Sequence, residues 1–355
     1  MSRSGRMNTS GAPTSAGQPA AAGASGATSR PTAPAPPLVD VRAVTRRFGD
    51  FVAVDAADLT VEPGEVVGLL GANGAGKTTL IRLILGLLRP NGGRVRLFGE
   101  PPSRRTRRRL GYVPQGLGLW EDLTVTENLE FSAGAFGVVT RSDRAVAPTA
   151  GAPVASAPAA GAPVRAAGGA ELLDADLHAA RDQLVRDLPL GLRRRLAFAA
   201  ALAHHPDLLV LDEPTSGVDP LARAHLWDTI HATVEGGAGA LVTTHYMDEA
   251  EQCDRLVVMA LGVVIAQGTM RTIIGAATAV EVEVEADHWE SAFAALDAAG
   301  LPLALAGRLL RVPGGDEARV QAALDARLVA ARIRIVPATF EETFVTLATT
   351  RQENP

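Results

Sequence analysis

The ten residues GANGAGKTTL, positions 71–80, constrain this chain more than any other stretch. They follow a short apolar run, EVVGLL (Glu65–Leu70), and open a segment with helical periodicity, KTTLIRLILGLL. Gly71, Gly76, Lys77 and Thr78 satisfy G-x-x-x-x-G-K-[ST] between a strand and a helix, which is the context that pattern requires. Glycines let the backbone curl so that its N–H groups point inward at phosphate oxygens. The helix that begins near Lys77 adds the positive end of its dipole.

Lys77 is the only lysine of the chain, against 33 arginines. A lysine is a compact point charge on a flexible stem, able to reach between two phosphates. The planar arginine fork fits carboxylates better than a cramped backbone nest. One position has therefore resisted the compositional habit of the whole sequence, and that points to a bound nucleotide.

Other segments complete an alternating pattern. DLLVLD (Asp207–Asp212) and GALVTTH (Gly239–His245) read as buried strands. LRRRLAFAAALAHH reads as a helix with Leu192, Leu196, Ala199, Ala200 and Ala203 on one face. Alternation of this kind predicts an α/β domain with a mostly parallel sheet. At the end of DLLVLD, Asp212 and Glu213 form a carboxylate pair: one suited to helping hold Mg²⁺, the next to polarising water.

The ordered set of Phe48 in RRFG, the glycine loop, Gln115 in YVPQ, LPLGLRRRL, LDEPTSGVD and His245 in TTHYMDEAE resembles the ABC ATPase family. The likeness covers residues 38 to about 274, apart from one insertion. It implies a P-loop NTPase fold with a mixed sheet, helices and a helical subdomain. It also implies ATP and Mg²⁺ as ligands. Phe48 would stack on adenine, while Gly71, Asn73, Gly74, Ala75, Gly76, Lys77, Thr78 and Thr79 would hold phosphates. Thr78 and Asp212 would hold Mg²⁺, directly or through water, and Gln115 would sense the metal and the attacking water. Glu213 would be the general base, and His245 would contact the γ-phosphate. Ser216–Asp219 would cross to a second subunit. Taken singly, Phe48 also fits a core position, Gln115 and His245 fit solvated loops, and Glu213 fits a cap ahead of Pro214.

The family's signature is L-S-G-G-Q; here it reads Leu188, Pro189, Leu190, Gly191, Leu192. The serine hydroxyl is gone and Pro189 has no N–H, so Gly191 and the helix start behind it are the candidate clamp on a partner's phosphate. LWEDLTVTENLEFSAGAFG and TTHYMDEAEQCDRL resemble the exporter branch, in which separate transmembrane permease subunits carry drugs, antibiotics, lipids or polysaccharides. Expected partners are a second copy of the chain and such permeases, placing it in the cytoplasm on the inner face of the cell membrane. A soluble ABC ATPase acting on ribosomes or DNA is the alternative; such relatives usually carry tandem cassettes or a coiled-coil insertion.

Composition bounds the rest. The 355 residues allow one large domain and a small one, and 47% hydrophobic content is enough for a core. A net charge of -5 gives no reason to expect nucleic acid. RRTRRR (Arg104–Arg109) reads as a solvated surface, with proximity to a membrane partner second. Cys253, alone, reads as a small buried side chain. The longest apolar run, Leu256–Ala266, falls short of the about 20 residues a membrane span needs, and residues 1–37 lack the apolar core of a signal peptide. The expectation is a chain soluble by itself.

Residues 1–37 are predicted to be a disordered tail, 38–274 the nucleotide-binding domain, and 140–170 a flexible insertion with prolines every five residues. Residues 275–355 are predicted to be a small α+β accessory domain of βαβαβ-like order. Its strand AVEVEVEAD would have one wet face, and FEETFVTLAT would be the closing helix. Nothing in it reads as catalytic; packing or regulation is its expected role.

Overall fold

The computed structural model describes residues 36–137 and 175–353. The expected insertion at 140–170, and the tail as far as residue 35, lie outside them. In chain order the first part runs β1 (Val39–Phe48), β2 (Phe51–Val61), β3 (Val66–Leu70), α1 (Lys77–Ile84), β4 (Gly92–Leu97), α2 (Arg104–Arg107), β5 (Leu110–Val113) and α3 (Val125–Ala135). It continues with α4 (Ala175–Ala179), α5 (Leu190–Leu202), β6 (Leu208–Asp212), α6 (Pro220–Glu235), β7 (Gly239–Thr244), α7 (Met247–Ala250), β8 (Arg255–Ala260), β9 (Val263–Gly268) and α8 (Met270–Ile274).

The central sheet has the order β5-β6-β7-β3-β8-β9, parallel except for β9. β3, β6 and β7 are buried along their whole length. Strands covered on both faces read as unbroken apolar runs, which is why VVGLL and LLVLD stand out. Because β3, β5, β6 and β7 run the same way, their carboxyl ends share one edge. Such an edge is where open α/β sheets bind ligands. A second, antiparallel sheet, β2-β1-β4, flanks this one.

A helical layer is built from α3, α4 and α5 around Val125, Leu129, Leu177, Val185 and Leu196. Thr124 and Glu127 form a reciprocal capping box that starts α3. The buried Asn128 side chain receives the Trp120 N–H and donates to the carbonyls of Trp120, Leu123 and Thr124, pinning the preceding loop. The N–H groups of Val125, Thr126 and Val185 bond to the carbonyls of Gln183, Arg181 and Leu123, stitching together the stretches on either side of residues 138–174. α4 is a short helix of five residues.

The arginine run forms α2 and the turn after it, and only Thr106 within it is buried. Arg109 bonds Asp207 at 2.7 Å and lies over the Phe98 ring. Burial pushes the Cys253 thiol up to about 12, as suits a small apolar filler. No helix among the described residues is long and apolar enough to cross a membrane.

The last part adds β10 (Thr278–Val284), α9 (Trp289–Ala298), β11 (Ala304–Ala306), β12 (Leu309–Pro313), α10 (Glu317–Asp325), β13 (Ala331–Pro337) and α11 (Phe340–Glu353). The antiparallel order β11-β12-β10-β13 makes a βαββαβ unit rather than the expected βαβαβ. The missed strand is three residues of alanine and leucine, too short and too poor in β-branched residues to be read as one. The wet face is a correction only in part, since Glu283 and Glu285 along it are exposed. Glu281 is only 5% exposed, because α11 reaches across that face. Arg311 joins Glu342 of α11 at 2.6 Å, Glu281 at 3.4 Å and the Pro337 carbonyl at 2.8 Å. Phe340 and Phe344 of α11 then pack with Leu256 and Val258 of β8 and with Ile273 of α8, so this helix joins the small sheet to the large one.

Candidate functional site

The glycine loop leaves the centre of the sheet after β3. Its shape requires glycine at two points. A Cβ on Gly71 would come within 2.5 Å of the Met259 carbonyl oxygen. Gly76, at φ 103, would bring one within 2.5 Å of the Ala53 carbonyl oxygen. The Ala75 carbonyl accepts from the Gly262 N–H at 3.0 Å, so the β8–β9 turn braces the loop. Ala72, Asn73 and Gly74 are exposed at its crest, and Thr78 and Thr79 lie half-buried in the first turn of α1.

Lys77 folds back under this crest. Its Nζ donates to the carbonyls of Gly71 (2.7 Å) and Ala72 (3.3 Å) and lies 3.8 Å from Glu213 Oε1. Burial holds the ammonium below its usual range, while Glu213 and Asp212 pull in the opposite direction.

β6 delivers the carboxylates to the same edge. Asp212 is buried; its Oδ1 receives the Thr243 hydroxyl at 2.7 Å and faces Thr78 Oγ1 at 3.5 Å. Asp212 and Thr243 are register partners across β6 and β7. Glu213 turns into the left-handed region, φ 52, a conformation that costs a non-glycine residue about 1–3 kcal/mol. Two contacts hold it there. Its N–H donates to Thr243 Oγ1 at 2.9 Å, and its carbonyl accepts from Arg194 Nη1 of α5 at 3.1 Å. The turn aims the carboxylate at the loop instead of along the strand.

Three further groups converge on that carboxylate. Gln115, just beyond β5, places Nε2 3.4 Å from Glu213 Oε2. His245, just beyond β7, places Nδ1 3.6 Å from Oε1, and this buried nitrogen has no hydrogen-bond partner among the described residues. Lys77, Thr78, Gln115, Asp212, Glu213 and His245 are thus gathered in one place.

Phe48 and Gly191 stand apart from this cluster. Phe48 pairs with Phe51 at the tip of the β1–β2 hairpin; the rings are 46% and 65% exposed, and Arg46 lies over Phe48 at 4.5 Å. Two residues beyond Phe51, Ala53 touches Gly76, so the hairpin rests on the loop. Gly191 lies in the first turn of α5, and a Cβ there would meet nothing within 4 Å. The fold of a single chain makes no demand for glycine at that position. Beside it, exposed Leu190 lies 3.6 Å from where a Cβ on Gly217 would stand, so the signature turn and the Ser216–Asp219 loop are neighbours.

Sequence reasoning missed Thr243 and Arg194. A hydroxyl at the end of GALVTTH, beside a strand that ends in two carboxylates, was the available signal for Thr243. Nothing distinguished Arg194 from its neighbours Arg193 and Arg195.

Residues 54–216 match the family model described as "ABC transporter". The chain is 42% identical over 241 residues to Nod factor export ATP-binding protein I of Burkholderia thailandensis, covering 66% of this chain and 72% of that protein. It is 39% identical over 239 residues to the probable multidrug ABC transporter ATP-binding protein YbhF of Escherichia coli (strain K12), but spans only 38% of that relative's length. A solved structure titled as the ATP binding subunit of an ABC transporter superposes with a TM-score of 0.56 at 27% identity, covering 66% of this chain and 91% of that one.

Proposed function

The chain belongs to the ABC transporter family of ATP-binding proteins, and from that premise we propose that it binds and hydrolyses ATP to drive a membrane exporter, as a dimer docked on separate transmembrane subunits. The observation that carries the reading is the convergence of Lys77, Gln115 and His245 on Glu213, within 3.4–3.8 Å, at the mouth of a phosphate-shaped loop.

The chemistry follows from the groups present. The N–H groups of residues 73–79 and the start of α1 receive the β- and γ-phosphates. Lys77 exchanges part of its contact with Glu213 for phosphate oxygens, which restores charge compensation to a buried ammonium. Glu213 accepts the proton of the attacking water. Gln115 orients that water, and His245 steadies the γ-phosphate. Thr78 Oγ1 and Asp212 Oδ1 are hard oxygen donors 3.5 Å apart and would hold Mg²⁺. No group of three or more His, Cys, Asp or Glu side chains that could hold a metal ion by itself occurs among the described residues; Mg²⁺ sites on nucleotides need only one or two carboxylates beside the phosphates. When bound, the ion would neutralise charge that builds on the phosphates.

Two surfaces support this reading of the partners. The open Gly191 and the α5 N-terminus offer unpaired N–H groups to a phosphate held by a second copy. A groove of about 350 Å³, lined among others by Tyr112, Trp120, Phe131, Phe136 and His204, opens between the central sheet and the helical layer. Its apolar walls suit a cytoplasmic helix of a transmembrane subunit. The relatives' names, multidrug transport and Nod factor export, support an exporter.

The test is phosphate release by the full chain, with and without EDTA, followed by identification of the membrane protein that co-purifies with it. Mg²⁺-dependent turnover and a permease partner are expected. ATP-independent pull-down of ribosomes or DNA in place of a permease would contradict the exporter reading.

A further inference from the structure

Behind the site lies a buried carboxylate that the mechanism does not use. Glu249, in α7, is only 2% exposed. It touches three segments that end at the site. Its Oε1 receives the hydroxyl of Thr215, itself 1% exposed and two residues after Glu213. The same oxygen lies 3.7 Å from Arg223 Nε, in the first turns of α6. Its backbone N–H bonds to the carbonyl of Tyr246, the neighbour of His245. Arg223 closes the circuit by lying over the Tyr246 ring at 4.9 Å. α6 in turn is capped by Asp219, the last residue of the Ser216–Asp219 loop, through a 3.0 Å bond to the Ala222 N–H.

An isolated buried carboxylate is costly, so its retention needs a reason. The hydrogen-bonding here is incomplete. Glu249 Oε2 and Arg223 Nε are both buried without a hydrogen-bond partner among the described residues. The 3.7 Å ion pair is also longer than the about 2.7–2.9 Å of a charge-assisted bond. The two groups stand one short movement from a full contact, and Arg223 sits in the first turns of the helix that Asp219 caps.

We propose that Glu249 is a positioning residue for ATP hydrolysis, tying the Glu213 turn, through Thr215, and the His245 turn, through Tyr246, to the Ser216–Asp219 loop, through Arg223. It touches neither substrate nor water. Engagement of the loop by a second copy is thereby transmitted to the general base and to the γ-phosphate contact. This rests on the reading of the chain as an ATPase.

The test measures kcat, KM for ATP, affinity for a fluorescent ATP analogue and melting temperature in the full chain. The variants are Glu249→Ala, Glu249→Gln, Thr215→Val and the double variant Thr215→Val/Glu249→Ala, with Glu213→Gln as control. Glu249→Ala is expected to lower kcat about 10–100-fold, the scale of a misplacement near 1 Å, with KM and analogue affinity within about threefold of wild type. Glu249→Gln keeps the oxygen that Thr215 needs and is expected to recover most of that loss. Thr215→Val removes only the Thr215 bond and should reproduce part of the Glu249→Ala loss, and the double variant should be no worse than Glu249→Ala, which already removes that bond. Unchanged kcat in folded Glu249→Ala overturns the proposal, as does a parallel fall of kcat, analogue affinity and melting temperature. So do additive losses in the double variant. If Glu249→Ala does not fold, Thr215→Val decides, and an unchanged kcat in folded Thr215→Val overturns the proposal. Wild-type chain with no turnover overturns both readings; turnover lost in Glu213→Gln but not in the Glu249 and Thr215 variants overturns this one alone.

Discussion

One hydroxyl, that of Thr243, donates to Asp212 Oδ1 at 2.7 Å and accepts the Glu213 N–H at 2.9 Å. The neighbouring strand therefore holds both the aspartate beside Thr78 and the strained turn that aims Glu213. Thr243→Val keeps the shape and removes both bonds. It is expected to destabilise the chain by about 1–3 kcal/mol, the cost of leaving buried polar groups unpaired, and to lower kcat more than ATP affinity. Denaturant unfolding and steady-state kinetics check this; Thr243→Ser should behave as wild type.

Lys77→Arg preserves charge and should still weaken ATP binding. The space beneath the loop crest already confines Nζ between the Gly71 and Ala72 carbonyls and Glu213. A planar guanidinium does not fit that space without displacing the loop. Titration with a fluorescent ATP analogue measures the effect; unchanged affinity would mean that the position requires only a positive charge.

Gly191→Asp addresses the dimer. Space around Gly191 is open within one chain, so the substitution should leave folding and P-loop affinity intact. A carboxylate at the α5 N-terminus would nevertheless repel a phosphate presented by a second copy. Light scattering with ATP on a Glu213→Gln background should show a dimer that the Gly191→Asp version fails to form. Equal dimerisation would place the clamp elsewhere.

The residues legible from sequence alone are those whose chemistry is contiguous. Gly71 to Thr78 form a site by themselves once a strand and a helix flank them, and Asp212–Glu213 announce themselves at the end of an apolar run. Their supports were not legible, because each acts across a long gap. Arg194 reaches a carbonyl 19 residues away, Thr243 a carboxylate 31 away, and Thr215 meets Glu249 34 residues on. Such pairings depend on strand order, which periodicity does not give. The accessory sheet shows the same limit. AVEVEVEAD alternates like a half-wet strand, and only the return of α11 with Glu342 shows that Glu281 is buried.

That return makes a separate prediction. Arg311 neutralises Glu281 and Glu342 together, all three side chains being at most 13% exposed. Arg334 also reaches Glu281, at 2.6 Å, so Arg311→Met should leave chiefly Glu342 buried without its partner, a loss of about 3–5 kcal/mol for breaking such a network. Hydrogen exchange should report faster opening of Thr278–Val284 and of α11, with nucleotide affinity at the distant loop unchanged. Equal protection would show that α11 is held by Phe340 and Phe344 alone.

Phosphate release from saturating MgATP by wild type and Glu213→Gln, with analogue affinity measured on the same samples, tests most directly that this chain is an ATPase with Glu213 as its base. The expected result is turnover by wild type, equal affinity in both, and a rate about 10²–10⁴-fold lower in the variant, the usual worth of a general base. A near wild-type rate in Glu213→Gln would contradict it, since the amide cannot take the proton from water.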